Sequence, residues 1–409
     1  MNIKKVSAEK LKAAKYNPRK DLKPGDPEYE KLKRSIQTFG YVEPILWNQR
    51  TGNIIGGHQR YKVLLDLGHT EIDCVVVDMD LANEKALNVA LNKVSGDWDI
   101  PLLTELLKDI NASGFDVSLT GFDAAEMDSL FRDSVVAGVK EDGFDEPLPE
   151  KPISRQGDIW MLGRHRLICG DSTKSETYKV LMDGQKANLV VTDPPYNVAY
   201  EGTAGTIQND NMDSTKFHAF LLSAFKCMYG NLVDGGSIYV FHADRETVNF
   251  RTAFTEAGFF CHQTCIWIKN VPVLGRCVYQ YSHEPVLMGW KPTAGHRWYA
   301  DRKQRTTWNF DRPSKSKYHP TMKPVALVAY PIVNSSLSNS IVLDPFGGSG
   351  STLIACEQTG RICHTIELDE KYVDVIVKRF LEFKGSETEI FLLRDGEKLS
   401  YEKAQKAVK

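Results

Sequence analysis

The stretch that most constrains this 409-residue chain is Asn188-Leu189-Val190-Val191-Thr192-Asp193-Pro194-Pro195-Tyr196. Leu189, Val190 and Val191 form a short apolar run without polar alternation, as suits a parallel strand covered on both faces. Pro194 and Pro195 stop it, because proline fixes φ and has no N–H to give a ladder. The chain must therefore set a stiff turn at the carboxyl end of a buried strand, where open α/β sheets hold their ligands. The turn offers a carboxylate (Asp193), an unpaired carbonyl (Pro194 or Pro195) and a flat ring (Tyr196). A planar molecule with an exocyclic amino group needs two acceptors for its two hydrogens and a surface to stack on. Asp-Pro alone would suit a simple strand-capping turn. The second proline, the ring and the apolar run favour the ligand-holding reading.

A second stretch has the same strand-then-loop form. Ile341-Val342-Leu343-Asp344 leads into Pro345-Phe346-Gly347-Gly348-Ser349-Gly350, and a helix is expected from Ser351 to about Gln358. Its glycines let backbone approach a ligand and turn tightly. A further strand, Ile362 to Ile366, ends in Glu367, 17 positions after Gly350, a spacing that suits an acid accepting from ribose hydroxyls. A dinucleotide fingerprint would want a glycine where Leu353 stands, and a P-loop would want Gly-Lys-Ser/Thr. A nucleoside ligand without phosphates fits better.

Together these runs resemble the Asp-Pro-Pro-Tyr and Asp-Pro-Phe-x-Gly-x-Gly motifs of S-adenosylmethionine-dependent DNA amino-methyltransferases, over roughly residues 155–393. The catalytic run precedes the cofactor run, with His319-Pro320-Thr321-Met322-Lys323-Pro324 between, an order that resembles the β class. The resemblance implies a Rossmann-like α/β sheet, with Asp193, Pro194, Pro195 and Tyr196 catalytic. It implies a cofactor site of Asp171, Lys323, Asp344, Phe346, Gly347, Gly348, Gly350, Ser351, Thr352 and Glu367, with S-adenosylmethionine as cofactor and no metal. It points to adenine N6 as target, because Asp is usual at position 193 in adenine enzymes, with cytosine N4 as the alternative. An Asn there would instead suggest methylation of protein glutamine. A DNA-binding partition or regulatory protein with a vestigial methyltransferase half is the reading from another class; the intact motifs argue against it.

Net charge is −2, so nothing global marks a nucleic-acid binder. Residues 297–323, however, hold eight Lys or Arg and two Asp, with Trp298, Tyr299, Trp308, Phe310 and Tyr318 interleaved. Such a mixture suits a phosphate-tracking, base-stacking surface. It makes Arg297, Arg302, Lys303, Arg305, Arg312, Lys315 and Lys317 the expected contacts to double-stranded DNA, within a target-recognition segment of about 291–318. The irregular segment 197–213 is expected to act as a lid. Eight scattered cysteines suggest reduced thiols, and the absence of a long apolar run or a signal-like start suggests a cytoplasmic protein with no membrane partner. Self-association into a homodimer stays open.

Ahead of residue 136 the pattern changes. Glycines opening a helix with an Arg in its first turn, Gly56-Gly57-His58-Gln59-Arg60, make an anion-binding arrangement. With Asn17-Pro18-Arg19, the helix ending at Gly40, and Pro44-Ile45, this run resembles the N-terminal domain of ParB partition proteins. The resemblance implies a smaller α+β domain, with phosphate or DNA-backbone binding near Gly57, His58 and Arg60. His58 stands where the family carries Glu, and Lys62 where it carries a second Arg, so nucleotide hydrolysis is not carried over. The expected domains are 1–135 (with a helical extension), an acidic linker 136–152, the methyltransferase domain 153–393 and a tail 394–409.

Overall fold

The computed structural model describes residues 2–93, 98–113, 120, 122, 124–198, 201–202, 205–206, 210–273, 278–312 and 322–406. They form two compact units, Met1–Phe131 and Arg132–Lys409.

The first unit holds a mixed five-stranded sheet of β1 (Ile3–Ser7), β2 (Lys12–Ala13), β3 (Ile45–Asn48), β4 (Asn53–Gly56) and β5 (Glu71–Val77), in the order β1-β5-β3-β4-β2. Helices α1 (Pro27–Phe39) and α2 (His58–Asp66) bring Tyr29, Ile36, Val63 and Leu64 onto Ile45, Ile54 and Cys74. Helix α3 (Leu81–Asn92) sends a fully buried Glu84 to the β3–β4 turn, where it accepts from Asn48 Nδ2 (2.6 Å), Asn53 Nδ2 (2.7 Å) and Tyr16 Oη (2.5 Å). A buried carboxylate is tolerable only with donors of this kind around it. Helix α4 (Ile100–Ala112) buries Leu103, Leu106, Leu107 and Ile110 against Val89. Gly114 and Gly121, which in the sequence interrupt the helical pattern after α4, lie outside the described residues. The units divide within α5 (Ala124–Gly138), which passes through the expected boundary at 135.

The second unit is built on one eleven-stranded sheet, introduced here in chain order: β6 (Ile159–Leu162), β7 (His165–Cys169), α6 (Ser175–Met182), β8 (Ala187–Thr192), a short hairpin β9 (Glu201–Gly202) and β10 (Gly205–Thr206) outside that sheet, α7 (Ser214–Asn231), β11 (Leu232–Phe241), α8 (Thr247–Glu256), β12 (Phe260–Val273), β13 (Tyr281–Trp290), β14 (Thr307–Asn309), α9 (Val325–Ser335), β15 (Ile341–Asp344), α10 (Ser351–Thr359), β16 (Ile362–Glu367), α11 (Glu370–Lys384), β17 (Ile390–Arg394), β18 (Glu397–Ser400) and α12 (Tyr401–Lys406). The spatial order is β14-β12-β13-β11-β8-β15-β16-β7-β6-β17-β18, with the five central strands β11, β8, β15, β16 and β7 parallel.

Strand β8 lies at the centre, and the lack of alternation in its sequence has its reason there. Leu189 and Val191 enter the layer beneath α9 and α10, and Val190 enters the layer of α6, α7 and α8 with Phe217, Leu221 and Phe225. Both faces are covered, so a Leu189→Ala cavity would cost about 2–5 kcal/mol. The two strands that carry the expected motifs, β8 and β15, are direct neighbours in register Val342–Leu189 and Leu343–Val190. Their carboxyl ends open on the same edge, so the sheet brings the two motifs together.

Two expectations change. Residues 394–406 do not form a tail: β18 adds a strand to the sheet's edge and α12 follows it, with Tyr401 and Ala404 buried in the core. The acidic segment 136–152 lies against the second unit rather than hanging free. Asp142 meets Arg379 at 2.6 Å, Glu146 meets Lys378 at 2.6 Å, and Glu141 accepts from the Val325 N–H at 3.0 Å. Its carboxylates match cations that local composition does not reveal. No helix among the described residues is long and apolar enough to cross a membrane.

Candidate active site

A cavity of about 400 Å³ opens at the carboxyl ends of β8, β15 and β16, within the size range of small-molecule sites. Asp193, Pro194, Pro195 and Tyr196 line one side. Asp171, Asp344, Phe346, Gly347, Gly348, Ser351, Thr352 and Glu367 line the other. Lys323, Glu284, Lys269 and Arg312 stand among them.

The cofactor side is assembled by close backbone packing. At Gly347 a Cβ would sit 2.7 Å from Thr365 Oγ1 and 3.0 Å from Ile376 Cδ1, so a side chain here would force its neighbours to shift. Gly350 has φ +86° and caps α10, a left-handed conformation that glycine adopts without strain. Glu367 at the end of β16 supports the loop, its Oε2 accepting from the Gly348 N–H at 2.7 Å and its Oε1 from the Asp369 N–H at 2.9 Å. Burial raises its carboxyl to about 7. Asp171 accepts from the Thr173 N–H at 2.8 Å and hydroxyl at 2.7 Å. Thr365 Oγ1, beneath Gly347, has no hydrogen-bond partner among the described residues. Bare glycine backbone and acceptor carboxylates, with no lysine or arginine in the loop, fit the adenosine of S-adenosylmethionine better than a phosphate. Glu367 and Asp171, the two carboxylates expected at the ribose and the adenine, both line this side of the cavity.

Asp344, expected at the cofactor, joins the two halves of the site. Its Oδ1 accepts from Thr192 Oγ1 at 2.8 Å and from the Phe346 N–H at 3.2 Å, and its Oδ2 accepts from Thr352 Oγ1 at 2.6 Å. The end of the catalytic strand is thus tied to the start of the cofactor helix. Burial raises Asp344 to about 7. Ser351 does similar work, donating to the Lys323 carbonyl at 2.7 Å.

The catalytic turn is richer than its motif suggests. Asp193 Oδ1 accepts from Tyr196 Oη at 2.6 Å, and Oδ2 accepts from Lys323 Nζ at 2.6 Å. Lys323, expected to border the cofactor, thus also lies on the Asp193 carboxylate. It also reaches Tyr196 Oη at 3.1 Å and Glu284 Oε2 at 3.3 Å. Glu284 in turn holds Lys269 at 2.6 Å. Burial pushes Asp193 above the usual carboxylate range; Lys323 opposes the rise and Glu284 adds to it. Burial works the same way on Glu284, but Lys323 and Lys269 hold it below its ordinary value. Lys269 was not anticipated; its only sequence signal is a lysine at the end of the apolar run Cys265–Ile268.

The basic segment is divided. Arg297, Arg302, Lys303 and Arg305 are exposed on loops leading to β14, whereas Arg312 reaches the cavity wall. Lys315, Lys317, Tyr318 and His319-Pro320-Thr321 lie outside the described residues. Two of the aromatics expected to stack on bases are committed elsewhere. Trp308 is buried against Tyr330, with centroids 5.4 Å apart, and Phe310 packs on the same ring at 5.8 Å. Their alternation along β14 turns them inward. Residues 199–200, 203–204 and 207–209 of segment 197–213 lie outside the described residues, and its ends are closed by Asn197, which pairs with the Met212 backbone at 2.6 and 3.1 Å.

In the first unit, Gly57 adopts φ +93° at the start of α2 and, having no side chain, caps none of the helix's first N–H groups. Arg60 is paired with the exposed Glu43. His58 is buried, its Nε2 has no partner among the described residues, and burial lowers it to about 4.

Comparison with known proteins bears on the family. Residues 187–378 match the DNA methylase family. Residues 1–93 match the ParB N-terminal domain, and 101–156 the ParB-methyltransferase helix-turn-helix domain. The putative methylase YubD of Escherichia coli (strain K12) is 30% identical over 209 residues, covering 51% of this chain and 86% of that protein. The Type II methyltransferase M.HpaI of Haemophilus parainfluenzae is 26% identical over 244 residues, covering 54% of this chain and 76% of that protein. The crystal structure of an M1.HpyAVI–SAM complex aligns at 24% identity and a TM-score of 0.39, over 52% of this chain and 98% of that one, too loosely to support an argument about residues. The shared motifs, the site they build and the extent of the YubD match lead to one assignment: this chain belongs to the DNA methylase family, with S-adenosylmethionine as cofactor and DNA as substrate, and it carries a ParB N-terminal domain ahead of the methylase.

Proposed function

We propose that the second unit methylates the exocyclic amino group of a base extruded from duplex DNA, and that the base is adenine, modified at N6. The observation that supports this best is the Asp193 carboxylate at the end of β8, opening into the same cavity as the glycine loop of β15. An amino group inside a base stack is out of reach, so the base has to leave the duplex. Bound S-adenosylmethionine supplies an electrophilic methyl group on a positively charged sulfur. The protein's part is positioning. Asp193 and the carbonyl of Pro194 or Pro195 accept the two amino hydrogens, which localises the nitrogen lone pair away from the ring. Tyr196 gives the base a face to stack on. Glu367 and Asp171 hold the nucleoside, and the Thr192–Asp344–Thr352 tie keeps the two halves in register. The methylated amine is strongly acidic and loses its proton without needing a strong base. Arg297, Arg302, Lys303 and Arg305 follow the phosphates, with Arg312 at the cavity mouth.

The choice of adenine rests on the carboxylate at 193. The two bases offer the same amino geometry, so the test must read the product. Unmethylated DNA incubated with the protein and labelled cofactor, then digested to nucleosides, should place the label in N6-methyladenine. Label in N4-methylcytosine instead would overturn the adenine assignment and leave the site intact.

For the first unit we propose binding of a phosphate, from a nucleotide or the DNA backbone, at Gly57, His58 and Arg60. The glycine-capped start of α2 and the unpartnered His58 Nε2 support it. Calorimetric titration with nucleoside triphosphates and short duplexes should give heat that Arg60→Ala removes; no heat with either ligand would refute it.

A further inference from the structure

Beside the catalytic turn, Asp193, Lys323, Glu284 and Lys269 form a row of alternating charges joined at 2.6, 3.3 and 2.6 Å. The four come from three separate places: the turn after β8, the loop before α9, and the paired strands β12 and β13. Asp193, at one end of the row, is its most exposed member. The Asp193 side chain is 30% exposed to the cavity, Glu284 18%, Lys323 8% and Lys269 5%. The Lys323 ammonium has three donors, and they meet Asp193, Tyr196 Oη and Glu284. Its charge also lies 5.2 Å from the Tyr196 ring centroid and 5.4 Å from that of Phe241.

A row of this kind is poor material for stability alone. Burying ions costs several kcal/mol each, and well-packed apolar side chains often do as well. The row makes sense at its exposed end, where an acceptor carboxylate must keep its direction and charge in a site designed to exclude water.

We propose that Lys323 is a positioning residue for methyl transfer: clamped from behind by Glu284 and Lys269, it holds the Asp193 carboxylate as a fixed acceptor for the amino group of the extruded base. The proposal rests on the reading of Asp193 as that acceptor. Lys323 occupies Oδ2 and Tyr196 occupies Oδ1, each leaving a lone pair free on its oxygen. The base then meets an oriented acceptor without having to displace a partner.

The groups facing Asp193 set the sign of the consequences. From its own turn comes the Tyr196 hydroxyl, from the loop before α9 the Lys323 ammonium, and from β13 the Glu284 carboxylate backed by Lys269 of β12. From β15 comes Asp344, whose charge also acts on Asp193. Asp171, Asp210, Arg312 and Glu367 lie elsewhere on the cavity wall. Burial favours the protonated acid, which has lost its charge and turned one of its two acceptor oxygens into a donor; Lys323 opposes protonation, and Glu284 promotes it. Removing Lys323 and removing the Glu284 charge should therefore push Asp193 in opposite directions. A change that merely loosened the fold would not do that.

The experiment uses the full chain with three substitutions, Lys323→Met, Lys323→Arg and Glu284→Gln. Two pH profiles are read for each: kcat for methyl transfer to DNA, and the carboxyl-carbon NMR titration of Asp193, identified by its loss in Asp193→Asn. S-adenosylmethionine affinity checks each fold. Lys323→Met should move the acid limb and the Asp193 midpoint upward by about 1–3 pH units. Glu284→Gln should move both downward, and Lys323→Arg should stay near the wild type. Equal loss at every pH with unmoved midpoints, or shifts in the same direction for both charge-removing variants, would overturn the proposal. If Lys323→Met does not fold, Glu284→Gln decides alone: a downward shift supports the proposal, and any other result overturns it. If the wild type transfers no methyl group to DNA, the methyltransferase reading has failed, and the NMR titration still judges the clamp.

Discussion

Replacing Glu367 by Gln tests the cofactor side most directly. The carboxylate accepts from Gly348 N–H at 2.7 Å through one oxygen and from Asp369 N–H at 2.9 Å through the other. A carboxamide has one acceptor oxygen, so its NH₂ must face one of those N–H groups, and the charge offered to the ribose diol disappears. A hydrogen bond to a charged group contributes about 1.5–3 kcal/mol. At 1.4 kcal/mol per decade, the dissociation constant for S-adenosylmethionine should rise roughly 10- to 150-fold. Calorimetry at pH 8 measures this with Glu367 ionised in the wild type. The pH dependence adds a second reading. Because burial raises Glu367 to about 7, wild-type affinity should weaken by about tenfold per unit as pH falls below 7, since binding then requires the proton to leave. The variant should lack that component, while Asp344, which also titrates near 7, contributes to both proteins. Dissociation constants within about threefold of each other, or parallel pH curves, would remove Glu367 from the site.

Asp193→Asn should reduce methyl transfer by about 100-fold or more while leaving S-adenosylmethionine affinity nearly unchanged, because Asp193 faces the base; a comparable loss of cofactor affinity would place it on the wrong side of the cavity. Gly347→Ala should lower the melting temperature and weaken cofactor binding, because the new Cβ meets Thr365 Oγ1 at 2.7 Å and such overpacking costs about 1–3 kcal/mol; unchanged melting and affinity would refute the close approach. Replacing Arg302, Lys303 and Arg305 together by Gln should reduce the slope of log affinity for DNA against log salt by up to about 2.7, or 0.9 per phosphate contact. An unmoved slope would leave that loop merely solvated.

The parts of the site legible in sequence were those built from contiguous residues. The apolar run ending at Asp193 and the glycine loop after Asp344 each declared a strand, a turn and an exposed end, and the sheet puts the two beside each other. What escaped depends on partners distant in the chain. Nothing near Lys323 reveals that its ammonium also reaches Asp193, because that contact spans 130 positions. Asp344 reads as a ligand-facing acid until Thr192, 152 positions away, is seen donating to it. Glu284 lies near the start of β13, and its setting depends on Lys269 across the β12–β13 pair. Trp308 and Phe310 were misleading because aromatics between cations read as a stacking surface, whereas the pleat of β14 turns them onto Tyr330. The residues after 393 were polar enough to pass for a tail, yet Leu392 and Leu399 pair across β17 and β18 at the sheet's edge.

The placing of β8 between β11 and β15 also has a bearing on how the chain is made. One flank of β8 can pair as soon as β11 emerges, but the other waits for β15, whose Asp344 follows Thr192 by 152 positions. At ribosomal speeds of about 5–20 residues per second, that is a delay of roughly 8–30 s with an apolar central edge uncovered. Strand β7 waits longer still: the Cys363 N–H that bonds His165 comes 198 positions later. Meanwhile the first unit, whose sheet closes by Val77, is already complete in sequence. The nascent protein thus passes through a period in which a finished ParB-type unit is attached to a half-built sheet with two exposed edges. That is when edge-to-edge association is the hazard and a chaperone has most to cover.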